Sequence, residues 1–233
     1  DGVYETPAIH HAAIEPHVAL AEWSPSGKLS VYSPNQNTFA FRVILSDIFG
    51  LPYSKIRVAA PAIGGAFGGK LEVTIEPVAA VLSRMAGRPV KIVLTRKETI
   101  MSTRVRHGSL NSIKTGFMRD GTIRAVVFKM YTNTGAYASS AMNVAGALTH
   151  KVFMGYRIDH MRIEAIPVYT NTVIAGAMRG YGSPQVYFGW ERQINKIARM
   201  LDMDPAELQR KNMVNPDSPN PISRQPLGNP RAK

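Results

Sequence analysis

The 233-residue chain is predicted to be an α+β protein, with mixed short-stranded sheets and helices packed on them. Three observations carry that expectation. Hydrophobic residues make up 45% of the chain, enough to close a sizeable core. Short segments with strand-like apolar patterning recur between Gly, Pro, Asp and Ser. Interspersed with them are longer stretches of helical period that carry start and stop signals.

The elements follow in order. His17 to Trp23 reads as a strand, Ser24-Pro25-Ser26-Gly27 as a turn, and Lys28 to Ser33 as the antiparallel return. Thr38 to Phe49 has helical spacing, with Thr38 as the expected N-cap and Gly50 as the stop before Pro52. Lys55 to Ala60 is a short strand that runs into the glycine-rich loop 64–69. Glu76 to Ala86 is a second helix, with Pro77 suited to its first turn and Gly87 beyond its end. Val90 to Leu94 is a buried type of strand. Ser109 to Met118 and Thr122 to Tyr131 flank Asp120-Gly121, a hairpin signal. Residues 133–150, rich in Gly, Ala, Ser and Asn, are expected to form a closely packed loop. Met161 to Tyr169 is a further strand. A second glycine-rich loop, 176–182, precedes a long helix from Ser183 to Leu201, and Asp204-Pro205 opens a short one. Residues 1–214 are thus expected to be one domain, and the proline-rich tail 215–233 an extended arm or linker.

Composition excludes several chemistries. With no cysteine, the chain can supply no disulfide, thiolate zinc site, iron–sulfur ligand or cysteine nucleophile. A cytoplasmic, reducing setting fits. No apolar run approaches ~18 residues, so no membrane-spanning helix is expected. DGVYETPAIHH carries neither part of a secretory signal. Net charge is +12, and residues 84–129 hold eleven Lys/Arg against Glu98 and Asp120. Such a stretch serves a solvated face, an anionic cofactor, an acidic partner or nucleic acid. Nucleic acid is disfavoured, because no aromatic-interleaved or zinc-finger motif accompanies the charge.

Three loops stand out. Gly64-Gly65-Ala66-Phe67-Gly68-Gly69-Lys70 lets backbone amides approach an anionic or polar ligand, or simply makes a tight turn. A phosphate-binding P-loop reading fails at Leu71, where Ser or Thr is required. Ala177-Met178-Arg179-Gly180-Tyr181-Gly182-Ser183-Pro184-Gln185 sits ahead of a helix, a natural place for a polar ligand. Ser33 to Thr38 is an amide-rich capping loop. His10, His11 and His17 lack metalloprotease spacing, and a structural role is favoured for them.

Taken together, HHAAIEPH, NQNTF, GGAFGGK, AMRGYGSPQ and MDPAELQRKNM resemble, in order, the molybdenum subunit of the xanthine dehydrogenase/aldehyde oxidase family. The resemblance covers essentially the whole chain and points to the first molybdopterin-binding domain. It implies a molybdopterin cofactor, in a dinucleotide form, with no side-chain ligand to molybdenum. It places Gln36 beside a molybdenum oxo ligand, and Phe67 and Gly68 as backbone donors near the metal. Gly65, Ala66, Gly69, Arg179 and Gly180 complete the cofactor loops, and Tyr181 packs on the substrate ring. The implied reaction hydroxylates an aldehyde or aromatic heterocycle with oxygen from water. Electrons then leave through [2Fe–2S] and FAD groups on other domains or subunits.

Departures from the family pattern carry information too. Leu71 and Ala147 stand where animal-type purine oxidisers place charged anchors, which favours less polar substrates. Gly180 replaces the cysteine of carbon-monoxide oxidisers. No segment matches the family's catalytic glutamate, so that base is expected outside these residues. The competing reading is a non-catalytic basic module that binds nucleic acid or an acidic partner.

Overall fold

A computed structural model describes residues 1–152, 155–215 and 217–219. The predicted arm 215–233 therefore lies almost wholly outside the described residues. In chain order, strands β1 (Gly2–Thr6), β2 (Ile9–His10), β3 (Val18–Trp23) and β4 (Leu29–Tyr32) lead into helix α1 (Thr38–Phe49). Next come β5 (Ile56–Ala59), α2 (Glu76–Ala86), β6 (Val90–Val93), α3 (Arg96–Ser102) and β7 (Val105–Arg106). A hairpin of β8 (Ser109–Phe117) and β9 (Ile123–Gly135) precedes α4 (Ala141–Lys151) and β10 (His160–Tyr169). β11 (Ala175–Gly176), α5 (Ser183–Met200) and α6 (Pro205–Asn212) complete the chain.

Most expected elements are present, and their ends have local causes. At α1 the cap is Asn37, not Thr38: the Asn37 carboxamide oxygen accepts from the Ala40 amide at 3.1 Å. Its short side chain reaches that amide from non-helical backbone, so Thr38 becomes the first helical residue. Gly50 and Gly87 end α1 and α2 in the left-handed conformation, as their positions predict. Residues 133–150 correct the expected loop: β9 runs to Gly135, and α4 follows with Ala141, Val144, Ala145 and Leu148 buried. That spacing is one face of a helix, hidden in the sequence by small residues. Helix α3 is a further element absent from the sequence expectation, although Thr95 and Glu98 form a reciprocal capping box at its start.

The described chain divides into two compact units that alternate along the sequence. One comprises residues 1–8 with the described residues of 107–170 and 180–219, and the other residues 9–106 and 171–179. In the first, the sheet order is β1-β8-β9-β10, antiparallel except for β10, which runs parallel to β9 after the α4 crossover. β10 is an edge strand, which tolerates Pro167. Trp190, Ile194 and Ile197 of α5 share a buried core with Ile113, Phe128 and Met130 of the sheet. Asn212 of α6 ties down the hairpin turn: its side chain accepts from Ile123 N and donates to Gly121 O, both at 2.9 Å.

The second unit holds a four-stranded sheet, β5-β4-β3-β6, with Leu45 of α1 and Ala79 and Ala80 of α2 in its core. Its small sheet, β11-β7-β2, joins residues distant in sequence and sends 11–17 and 177–179 toward loop 64–70.

Candidate functional site

Loop 64–70 is held by groups from three segments of the second unit. Glu15 Oε2 accepts from the Gly64 amide at 3.0 Å and pairs with the buried Lys70 ammonium at 2.5 Å. Lys70 is therefore an anchor of the loop. This gives a physical reason beyond Leu71 for rejecting the P-loop reading. His11 donates through Nε2 to Ala177 O at 2.8 Å, and His17 through Nε2 to Gly69 O at 3.1 Å. His10 contacts Thr103 Oγ1 at 3.0 Å. The three histidines are structural, and the described residues contain no cluster suited to hold a metal ion through side chains.

The loop takes up positive-φ backbone at Gly65, Phe67 and Gly68. Gly68 has φ +103°, and a Cβ there would lie 2.5 Å from Ala177 O. Phe67 is also left-handed, at φ +52°, and its carbonyl accepts from the Arg179 amide at 2.8 Å. Arg106 secures the other side by donating to Arg179 O at 2.8 Å. Gln36, Phe67, Gly68 and Arg179 thus meet within one unit.

Three sets of donors are left for a ligand. Among the described residues, the amides of Gly65, Ala66 and Phe67 have no acceptor, although Ala66 is buried. Backbone donors in that position need a partner from ligand or water. Gln36 Oε1 accepts from the Gly68 amide at 2.9 Å, which fixes the carboxamide orientation, because only the oxygen can receive that N–H. Nε2 of Gln36 consequently remains as a donor with no partner among the described residues. The Arg179 guanidinium is likewise without a side-chain partner among them. This set is all donor and partly cationic, and it suits an oxygen-rich anionic group. Leu71 closes the turn with its amide directed to Gly68 O at 3.3 Å.

Gly180, Tyr181 and Ala147 belong to the other unit. Gly180, Tyr181 and Gly182 are all left-handed, at φ +93°, +43° and +95°. Lys151 holds this bend by donating to the carbonyls of Gly180 and Tyr181, each at 2.7 Å. Its ammonium also lies 5.7 Å from the Tyr181 ring centre, and that ring packs against the core. Ala147 is half-buried on α4. Sequence reasoning missed Glu15, Lys70, Arg106 and Lys151 as site residues. Only the lysine directly after the glycine run offered a local signal for any of them.

Burial lowers the pKa of His11 and His17, and the Lys70 charge lowers His17 further; the hydrogen bonds to Ala177 and Gly69 oppose this. His17 Nδ1 is buried without a partner among the described residues. Both rings are thus neutral in the folded chain at neutral pH. The unfolded chain takes up protons first, so this stability is full above about pH 6.5 and falls as pH drops below it. The thermal midpoint is expected to fall between about pH 7 and pH 5, before ordinary carboxylates titrate. A flat midpoint across that window would contradict the assignment.

A fold that gathers unpaired amides, a fixed carboxamide and an arginine around a glycine loop defines a module for holding an anionic cofactor. The molybdopterin cofactor-binding domain family matches residues 1–213, and the chain belongs to that family. It is 35% identical over 223 residues to the xanthine dehydrogenase molybdenum-binding subunit of Escherichia coli, covering 95% of this chain and 30% of that protein. It is 34% identical over 209 residues to the nicotinate dehydrogenase large molybdopterin subunit of Eubacterium barkeri, covering 90% of this chain and 49% of that protein. Aldehyde oxidoreductase from Desulfovibrio gigas superposes with TM-score 0.92 at 29% identity, over 96% of this chain and 25% of that one. The chain therefore spans well under two-thirds of these relatives. No helix of the described residues is long and apolar enough to cross a membrane.

Proposed function

We propose that this chain is the first molybdenum-cofactor-binding domain of a molybdenum hydroxylase that oxidises an aldehyde or aromatic heterocycle. The single observation that carries the reading is a set of unpaired donors at the loop: Gly65, Ala66 and Phe67 amides, Gln36 Nε2 and Arg179 in one unit. Gln36 would donate to an oxygen on the metal, with its own oxygen held by Gly68 so that the carboxamide cannot rotate away. The loop amides and Arg179 would bind the anionic edge of the cofactor, which we take to be a dinucleotide form of molybdopterin. When bound, the molybdenum centre supplies oxygen insertion from water coupled to two-electron oxidation of the substrate.

Leu71, Ala147 and Tyr181 are proposed to contact substrate. Neither Leu71 nor Ala147 can supply a charge-assisted bond, each worth roughly 1.5–3 kcal/mol, so xanthine should not be the favoured substrate. A kcat/KM panel with xanthine, hypoxanthine, nicotinate and benzaldehyde checks this. A lead for xanthine of about tenfold (~1.4 kcal/mol) would overturn it.

Partners are proposed to be the remainder of the molybdenum subunit and iron–sulfur and FAD domains or subunits, because this chain lacks cysteine ligands. The complete enzyme, purified from its source, is expected to contain stoichiometric molybdenum and pterin, and to place oxygen from labelled water in the product. The 233 residues alone are expected to be silent and to retain little cofactor, because a partial envelope leaves polar groups solvated. A complete enzyme without molybdenum, or turnover by the isolated chain, would refute the proposal.

A further inference from the structure

Helix α2 turns its large apolar residues outward. Its sheet-facing side is small or polar: Ala79, Ala80 and Ser83 are buried, and Ser83 Oγ donates to Arg88 O at 2.9 Å. On the other side, Val78, Val81, Leu82 and Met85 are 51%, 44%, 42% and 79% exposed. They follow an i, i+3, i+4, i+7 spacing and so form one stripe. Single exposed apolar residues are common, but a continuous stripe marks a surface that is covered in use.

The border of the stripe is cationic. Arg84 and Arg88 are exposed, and neither forms an ion pair among the described residues; Arg84 lies 5.2 Å from the Trp23 ring centre. With Trp23, Phe49, Leu51 and Pro89 they line a cavity of about 690 Å³ in the same unit. Glu22 is the one carboxylate on its wall.

We propose that the outward face of α2 and this cavity dock a protein segment carrying an aliphatic stripe flanked by carboxylates, supplied by another domain or subunit of the assembled enzyme. Charge complementarity selects this occupant. A symmetric contact between two copies would bring Arg84 and Arg88 against basic surface of a +12 chain. An acidic segment would instead place carboxylates on both guanidinium groups while its aliphatic residues cover Val78 to Met85. The proposal rests on the reading that this chain is one part of a larger enzyme, and not on what the glycine loop binds.

The test uses the complete assembly, with a photoreactive p-benzoylphenylalanine replacing Met85 and, as a control, the exposed Met118 on the hairpin. Position 85 is expected to cross-link to a segment of another domain or subunit bearing Asp or Glu close to the point of attachment; position 118 is not expected to label that segment. Arg84→Glu with Arg88→Glu should lower that yield at least about tenfold. Changing the contacted carboxylate to lysine should restore it. Cross-links only between copies of this chain, no cross-link at all, or a yield indifferent to charge reversal would each overturn the proposal.

Discussion

Gln36→Ala in the complete enzyme is expected to lower kcat roughly tenfold to a hundredfold while KM stays within about twofold. The expectation follows from the geometry of one carboxamide. Gly68 N–H occupies Gln36 Oε1 at 2.9 Å, so Nε2 is the atom left to donate. A donor directed at charge that builds up during reaction contributes more in the transition state than in the bound substrate, so its loss falls on kcat. Gln36→Glu separates two explanations. The carboxylate can still accept from Gly68 N–H and hold the loop, but it cannot donate. If Gln36→Glu is as slow as Gln36→Ala, the Nε2 donor carries the effect. A Gln36→Glu enzyme with the parent rate would show that Gln36 only holds the loop. An unchanged rate in Gln36→Ala would reduce it to a neighbour of the α1 cap.

Gly68→Ala should be the most damaging methyl group that can be added to this chain's site. The backbone there sits at φ +103°, and the new Cβ would meet Ala177 O at 2.5 Å, Ala177 C at 2.8 Å and Met178 Cα at 2.9 Å. All three are backbone atoms that cannot rotate aside. A destabilisation of about 2–4 kcal/mol is expected, or roughly 5–15 °C in Tm. Gly27→Ala is the control. It also has positive φ, +73°, but nothing lies within 4 Å of its Cβ, so only the conformational cost of about 1 kcal/mol applies. Equal Tm losses in the two variants would show that contact with 177–178 contributes nothing. Because the Arg179 N–H to Phe67 O bond joins the residues next to that contact, Gly68→Ala should also loosen the donor set.

Local sequence signals determined the α+β class, the hairpin at Asp120-Gly121 and the helices with clear ends. Each depends on residues within a few positions of one another: Gly50 and Gly87 as left-handed stops, and Asp204 as a cap with Pro205 behind it. α4 escaped because Ala141, Ala145 and Gly146 leave Val144 and Leu148 as the large apolar residues of its buried face, and the helix is secured by packing rather than propensity.

The loops of the candidate site could be picked out in the sequence because glycine runs reveal where backbone must bend or come close. What holds them could not be named. Glu15 with Lys70, His11 with Ala177, and Arg106 with Arg179 are separated by 55, 166 and 73 positions. They meet only because two-residue strands β2, β7 and β11 form one small sheet. The sequence by itself determined which segments have the conformational freedom to approach a ligand. Tertiary structure alone decided which donors remain unpaired there, because a hydrogen bond is used up only by the partner that folding brings within reach.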